Sequence, residues 1–326
     1  MEGGENLERC LAALAVQTLS GREVVVVDNS GRAVAREAVQ RAGARLLENP
    51  SNVGFGVAIN QGFAGSAAEF LCVLNDDAFP EPRWLEALVA ACRSDTSVGM
   101  CASQIRLAGQ PGLLDSAGMQ VYLDGSSKQR GHAAPADGFA DREEVLFPSG
   151  CAALYRAELF RDLGGFDPDF FLYCEDTDLG LRARRAGWRC LYVPEAVVYH
   201  RYSHSAGRAS AAKAYYVERN RLYTVIKNFP LWIWPLVPLF SIFRYAMHLW
   251  ALCTGRGLAA EFAGGSQPWW KLGGIALRAN VAALAALPRM MAKRRLPRGR
   301  GRTSSWAFWR LLRRHSISAR EIALQA

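Results

Sequence analysis

The 326-residue sequence has no Cys-x-x-Cys pair among its eight cysteines, no internal repeat and no apolar signal segment at its start. The first absence excludes the paired-cysteine arrangements of zinc sites and thiol redox motifs. The scattered thiols, such as Cys72 in the apolar run FLCVL, instead read as reduced and buried. Without a signal segment, a reducing cytosol is the expected compartment. Acidic residues are scarce at one end only. From Thr254 to Ala326 there are 14 Lys/Arg against two acids, Glu261 and Glu321, whereas the preceding 253 residues carry 25 basic and 28 acidic residues. The net charge of +9 therefore hides a nearly neutral body and a strongly basic tail. An anionic surface is the expected partner of such a tail. Long uncharged apolar runs are also lacking. Residues 229–243 carry no charge, but Arg244 ends the run after 15 residues, short of the roughly 20 that a spanning helix needs.

Half of the residues are hydrophobic, enough for a substantial core and too many for wholesale disorder. Leu7, Leu11 and Leu14 sit at helical spacing within residues 6–18, with Asn6 as the expected cap. The β-branched run EVVVV (23–27) predicts a buried strand of a parallel sheet, and it stops at Asp28-Asn29-Ser30. A helix, a short strand (ARLLEN), a turn (NPSNVG) and a small-residue helix (GVAINQGFAG) follow. FLCVLNDD repeats the theme of a buried apolar strand ending in acids. PEPRWLEALVAACRS reads as a helix with prolines near its first turn, and VGMCASQIRL as another strand. This alternation predicts an α/β fold, doubly wound, with a mostly parallel sheet. Residues 110–148 loosen into polar loops with a hairpin at LDGSSKQR, before EDTDLGLRARRAGW reads as a helix and CLYVPEAVVYH as a strand.

Asp28, Asp76-Asp77 and Glu175-Asp176 end strands or open a helix. A parallel sheet gathers its strand ends along one edge, where ligands of open α/β sheets bind. Asn75-Asp76-Asp77 suits Mg²⁺ or Mn²⁺ held against a diphosphate, because hard cations take carboxylate oxygens and keep sites open for phosphate. A turn or helix-cap role explains Asp-Asp equally well on its own. Glu175-Asp176 follows an aromatic stretch and opens a helix, where acids also compensate the helix dipole. His200 ends the strand AVVYH, as a metal ligand or as an ordinary strand-end histidine.

Six segments in order, VVVVDNS, NPSNVGFGVAINQGF, LNDD, SGCAALYRAELF, FFLYCEDTDLGLRARRAGW and VVYH, resemble the family-2 glycosyltransferases of the GT-A fold, especially bacterial rhamnosyltransferase-like members, from about Asn6 to Tyr223. The resemblance implies an inverting transfer from a nucleoside diphosphate sugar, with Mg²⁺ or Mn²⁺. It implies that Asp28 and Asn29 meet the nucleobase end of the donor, with Asn52, Gly54 and Asn60 shaping the nucleotide loop. Asp77 would bind the metal beside Asp76, and His200 would complete the metal or diphosphate site. Asp176 would be the base with Glu175 beside it, and Gly150 would leave room for sugar and acceptor. The best match by resemblance is rhamnose from a dTDP donor, passed to a lipid-linked glycan or cell-surface polysaccharide.

Two departures stand out. Family members place an apolar strand before the helix that starts here near Asn6, and this sequence has only Met1-Glu2-Gly3-Gly4-Glu5 there, so a start further upstream is expected. Ile59 stands where many relatives carry a basic residue. A nucleotidyltransferase is a rival reading, but the Gly-rich phosphate loop with a basic residue is missing. A degenerate, non-catalytic sugar-nucleotide-binding protein is another, opposed by the intact acids. The expected domains are a catalytic domain at 1–223 and a helical membrane-associating region at 224–326. The apolar runs FPLWIWPLVPLFSIFRYAMHLWALC and IALRANVAALAALPRMM, with the basic AKRRLPRGRGR, predict interfacial helices at an anionic bilayer rather than nucleic-acid binding. The expected location is the cytoplasmic face of the bacterial inner membrane, peripheral or singly spanning.

Overall fold

The β-branched run becomes β1 (Val25–Asp28), which pairs in parallel with β2 (Arg45–Glu48). The computed structural model in which this is seen describes residues 4–201, 210–257, 260, 271–294 and 303–325. Helix α1 (Glu5–Ala15) begins after Gly4, not at an Asn6 cap. Asn6 lies in the first turn, and its Oδ1 accepts from the Arg201 guanidinium at 2.8 Å. Leu7 and Leu11 pack with Val26, Ala35 and Val39, joining α1 to β1 and to α2 (Arg36–Ala42). Among the described residues no strand precedes α1.

After α3 (Phe55–Phe63) come β3 (Phe70–Leu74), β4 (Ala78–Pro80), α4 (Trp84–Arg93) and β5 (Val98–Leu107). Next are β6 (Gln110–Ser116), the hairpin strands β7 (Met119–Val121) and β8 (Ser127–Gln129), and β9 (Glu143–Val145). Then follow β10 (Ala152–Arg156), α5 (Ala157–Asp162), α6 (Glu175–Arg185) and β11 (Arg189–His200). The main sheet has the order β3-β10-β5-β11-β4. β5 and β11 are parallel, and β10 lies antiparallel between β3 and β5, so β3, β5 and β11 all point the same way. The expected α/β architecture is present. β3 is less buried than expected: only Val73 of its five residues is buried, because the strand is the outer member of its sheet. The core on the other side of the sheet is apolar, with Trp84, Leu88, Cys101, Ile105, Leu154 and Val198 in one cluster. Burial of each large side chain there contributes about 1.5–3 kcal/mol. Trp84 satisfies its indole N–H by donating to the Ser103 hydroxyl at 2.9 Å. All eight cysteines are free thiols, six of them buried; Cys72 is half-buried and Cys253 exposed.

The chain divides into two compact units, Met1–Met119 with Gln129–Ser205, and Gln120–Lys128 with Ala206–Ala326. The boundary expected at 223/224 therefore falls inside α7 (Ala211–Asn228). The physical reason is a buried ionic network within the second unit. Arg244, on α8 (Val237–Cys253), donates to Asp124 at 2.6 Å and to Glu218 of α7 at 2.9 Å, and Arg221 also pairs with Glu218. Against burial, which would raise it, Arg244 and Arg221 hold the Glu218 carboxyl down at about 2. The unit is completed by α9 (Lys271–Ala285), α10 (Leu287–Ala292), α11 (Ser305–Arg314) and α12 (Ala319–Leu324). Trp269, Trp270 and the basic stretch 295–302 lie outside the described residues.

Candidate active site

Helix α6 is entered through a strained backbone. Phe171, Tyr173 and Cys174 have φ of 60°, 67° and 65°, a region that costs a residue with a side chain about 1 kcal/mol or more. Neighbouring segments hold this loop. The Phe55 N–H donates to the Phe171 carbonyl at 2.9 Å. Gly54, at φ 93°, allows that approach, since a Cβ there would lie 2.6 Å from the Phe171 oxygen. Asn60 spends its amide on the backbone of Phe166, donating at 2.8 Å and accepting at 3.0 Å. This bracing holds the chain just before α6, which opens with both acids.

The two carboxyls differ in environment. Glu175 is buried, and its Oε2 has no hydrogen-bond partner. Burial, and then the charge of Asp176, pushes its carboxyl up to about 8. Burial also raises Asp176, but the amides of Gly150 (2.9 Å) and Thr177 (2.6 Å) donate to its oxygens and offset part of that rise. At about 8 the Glu175 carboxyl keeps its proton at neutral pH, whereas the two backbone donors favour the charged form of Asp176. A raised carboxyl stabilises the fold fully below its unfolded value, and that contribution is lost as pH climbs towards 8. Glu175→Gln should therefore match the parent near pH 4.5 and exceed it by on the order of 3 kcal/mol near pH 8.5. Urea melts at both pH values measure this, and a pH-independent difference would show that Glu175 does not titrate between them.

On the other side of the sheet edge, His200 and Asp77 meet. His200 at the end of β11 pairs in register with Ala78, the residue after Asp77, and its Nε2 lies 3.3 Å from Asp77 Oδ1. The Nδ1 of the same ring is 2.7 Å from Asp115 Oδ2. Burial would lower the His200 pKa, but the Cys151 sulfur and the two carboxylates hold it well above its ordinary value. Asp76 lies beside Asp77, half-buried.

One tripeptide connects these two groups. Because β10 runs antiparallel to β3, its start lies beside the end of β3, with Ala152 opposite Leu74. Gly150 gives its N–H to Asp176, Cys151 accepts from the Asn75 N–H at 2.9 Å, and the Cys151 thiol faces His200. A Cβ at Gly150 would stand 3.4 Å from Asp176 Oδ2, so this glycine leaves the space beside Asp176 open.

The remaining expected residues form a loop scaffold. Both Asp28 oxygens accept backbone N–H groups, from Ser30 and Ala35, each at 2.9 Å. These bonds outweigh its burial and hold its carboxyl below the usual range. Asn29 donates to Asn52 Oδ1 at 3.0 Å and accepts from the Val53 N–H at 3.0 Å, and Asn52 Oδ1 also accepts from the Gly54 N–H. Asp28, Asn29, Asn52 and Gly54 are thus brought together, joined to the α6 entrance through Gly54. Sequence reasoning missed Asp115, His132 and Cys151. Asp115 sits in the segment 110–148, which has no periodicity, and Cys151 read as one more buried thiol.

Residues 2–224 match the family model described as Glycosyltransferase like family 2. The chain belongs to that family. Among its curated relatives is the N-acetylglucosaminyl-diphospho-decaprenol L-rhamnosyltransferase of Mycobacterium tuberculosis, 34% identical over 240 residues, which span 64% of this chain and 76% of that protein. Two solved structures share the fold. The mannosyltransferase PcManGT from Pyrobaculum calidifontis, in complex with GDP-Man and Mn²⁺, has a TM-score of 0.51 at 21% identity, over 90% of this chain and 84% of that one. GalNAc-T7 with UDP, GalNAc and Mn²⁺ has a TM-score of 0.57 at 14% identity, over 88% of this chain and 54% of that one. The family-2 match takes in every site residue described above.

Proposed function

We propose that the chain is a divalent-cation-dependent inverting glycosyltransferase that moves a sugar, with rhamnose from dTDP-rhamnose the best candidate, onto a lipid-linked glycan. The observation that carries this reading is Asp176 held by the Gly150 and Thr177 amides at 2.9 and 2.6 Å beside the buried Glu175, within the family-2 fold. A sugar hydroxyl is a poor nucleophile, and Asp176 is placed to take its proton as it attacks. Its backbone donors keep it oriented, and one base suffices because an inverting displacement forms no covalent intermediate. Asp77 and His200 fit a hard cation. Their ligand atoms are 3.3 Å apart, close to the roughly 3 Å between adjacent ligands of a small cation bound at about 2.1 Å. Among the described residues no three such side chains form a complete metal site, which suits a cation sharing its shell with diphosphate and water. When bound, the cation neutralises charge on the departing diphosphate. Asp28, Asn29, Asn52, Gly54 and Asn60 build the nucleotide loop, with Asp76 beside the diphosphate. The test is a donor panel (dTDP-rhamnose, UDP-GlcNAc, GDP-mannose) with a polyprenyl-diphosphate GlcNAc acceptor, reading released nucleoside diphosphate and the anomeric configuration of the product. No transfer from any donor, or retention of configuration, would overturn the reading.

A lipid-linked acceptor calls for an enzyme at a membrane, and the apolar surface of the second unit supports a peripheral seat there. Residues Leu231–Cys253 are long and apolar enough to cross a bilayer. Yet α8 has two different sides: Leu239, Ile242, Phe243 and Leu249 are more than half exposed, while Arg244 is buried in ion pairs. A helix with one apolar face and one face tied to its own protein lies in the interface plane. Exposed Leu277, Val281 and Leu284 on α9 add to the apolar surface of this unit. The combined variant Leu239→Gln, Ile242→Gln, Phe243→Gln should weaken binding to anionic vesicles by roughly 100-fold without unfolding. Flotation with phosphatidylglycerol vesicles measures this. Parent protein that stays in the aqueous fraction at low salt would end the membrane assignment and leave the enzyme assignment standing.

A further inference from the structure

We infer that Asp115 is a positioning residue that fixes the His200 ring with Nε2 turned to Asp77, ready for a divalent cation. This rests on the reading of Asp77 and His200 as the cation pair. The backbone is built to aim Asp115. Ile105 of β5 pairs with Ser116, but the next residue, Arg106, pairs with Leu114, so Asp115 is the extra residue of a β-bulge. A bulge bends its strand and re-aims a side chain that regular pleating would send elsewhere. Here it sends a carboxylate that is 2% exposed to the His200 ring, with Oδ2 2.7 Å from Nδ1. The other oxygen, Oδ1, lies 3.2 Å from Nδ1 of His132, whose ring also meets the Asp115 carbonyl at 3.1 Å. Of the two oxygens it is Oδ2 that is hydrogen-bonded, so the carboxylate is committed to the His200 ring.

The consequence is for the ring. An imidazole has two nitrogens, and the hydrogen bond made by one decides what the other can do. With Nδ1–H donated to Asp115, the nitrogen left to give up its proton and present a lone pair to an arriving cation is Nε2, which faces Asp77 at 3.3 Å. Without Asp115, neither the tautomer nor the ring orientation is fixed, and removing a partner of this kind typically costs 10–100-fold in metal affinity.

The probe is Mn²⁺ with dTDP, the diphosphate of the proposed donor, its free ion counted by electron paramagnetic resonance, on the full chain. Asp115→Asn should weaken Mn²⁺ binding by roughly 10–100-fold while the melting temperature stays within a few degrees. His200→Ala should weaken it at least as much, and the double variant no more than His200→Ala alone, since Asp115 acts through that ring. Wild-type Mn²⁺ affinity in Asp115→Asn, with affinity lost in His200→Ala, would overturn the inference and leave the cation reading standing. Wild-type affinity in both variants would overturn the two together. A measurement that needs no variant at Asp115 is ¹⁵N-histidine resonance on the Mg²⁺-loaded protein, with His200→Ala used only to assign the signal. His200 should show a protonated Nδ1 and an unprotonated Nε2, and the opposite tautomer would equally overturn the inference.

Discussion

Asp176→Asn is expected to lower transfer by roughly 10²–10⁴-fold while leaving donor affinity within a few-fold. The replacement is nearly isosteric, and its amide oxygen can still accept from the Gly150 N–H that now meets Asp176 Oδ2 at 2.9 Å. Only basicity is removed. Glu175 is no substitute, because its carboxyl, up at about 8, holds its proton at neutral pH. Single-turnover rates with a saturating donor, alongside donor titrations in the absence of acceptor, separate the two effects. Near-normal turnover in this variant would remove Asp176 from the role of base.

Arg244→Met should destabilise the second unit by about 3–5 kcal/mol, as breaking a buried pair by removing one partner does. Methionine keeps much of the apolar stem of arginine, so the loss is mainly one of charge. Asp124 is wholly buried and would lose its 2.6 Å partner, and Glu218 would keep only Arg221 of its two cations. The double variant Asp124→Asn, Arg244→Met should regain part of that loss, because it leaves no buried charge at 124 with only the more distant Arg221, at 3.6 Å, to balance it. Urea unfolding of the three proteins gives the coupling. A single variant as stable as the parent would show that the network carries no net stability.

What the sequence displays well is local. The run VVVV and the apolar strand before Asn75 are legible because strand propensity and burial depend on neighbours in the chain. The acids at strand ends are legible because a sheet puts such ends on one edge. Partners distant in sequence are another matter. Asp115 meets His200 across 85 positions and sits at a bulge, which no periodicity reveals. Asp28 looks the same in sequence whether it faces a ligand or, as here, two backbone amides of its own loop. Arg244 looked like a blemish that cut short an apolar run; in the fold it is the anchor of the inward side of α8. The strain at Phe171, Tyr173 and Cys174 likewise leaves no mark in composition, since ordinary side chains occupy positions that glycine usually takes.

The placement of residues 120–128 in the second unit has a consequence for synthesis. Asp124 leaves the ribosome long before its partners, since Arg221 follows 97 residues later and Arg244 120 residues later. Until then its carboxylate must stay hydrated, and closing so long a loop is an entropic cost met only late. The ionic network of the second unit therefore closes only once Arg244 has been made. Because the chain passes between the units at 119/120, 128/129 and 205/206, no single cut can separate them, and the continuous stretch 1–205 would carry Asp124 of the second unit without either arginine.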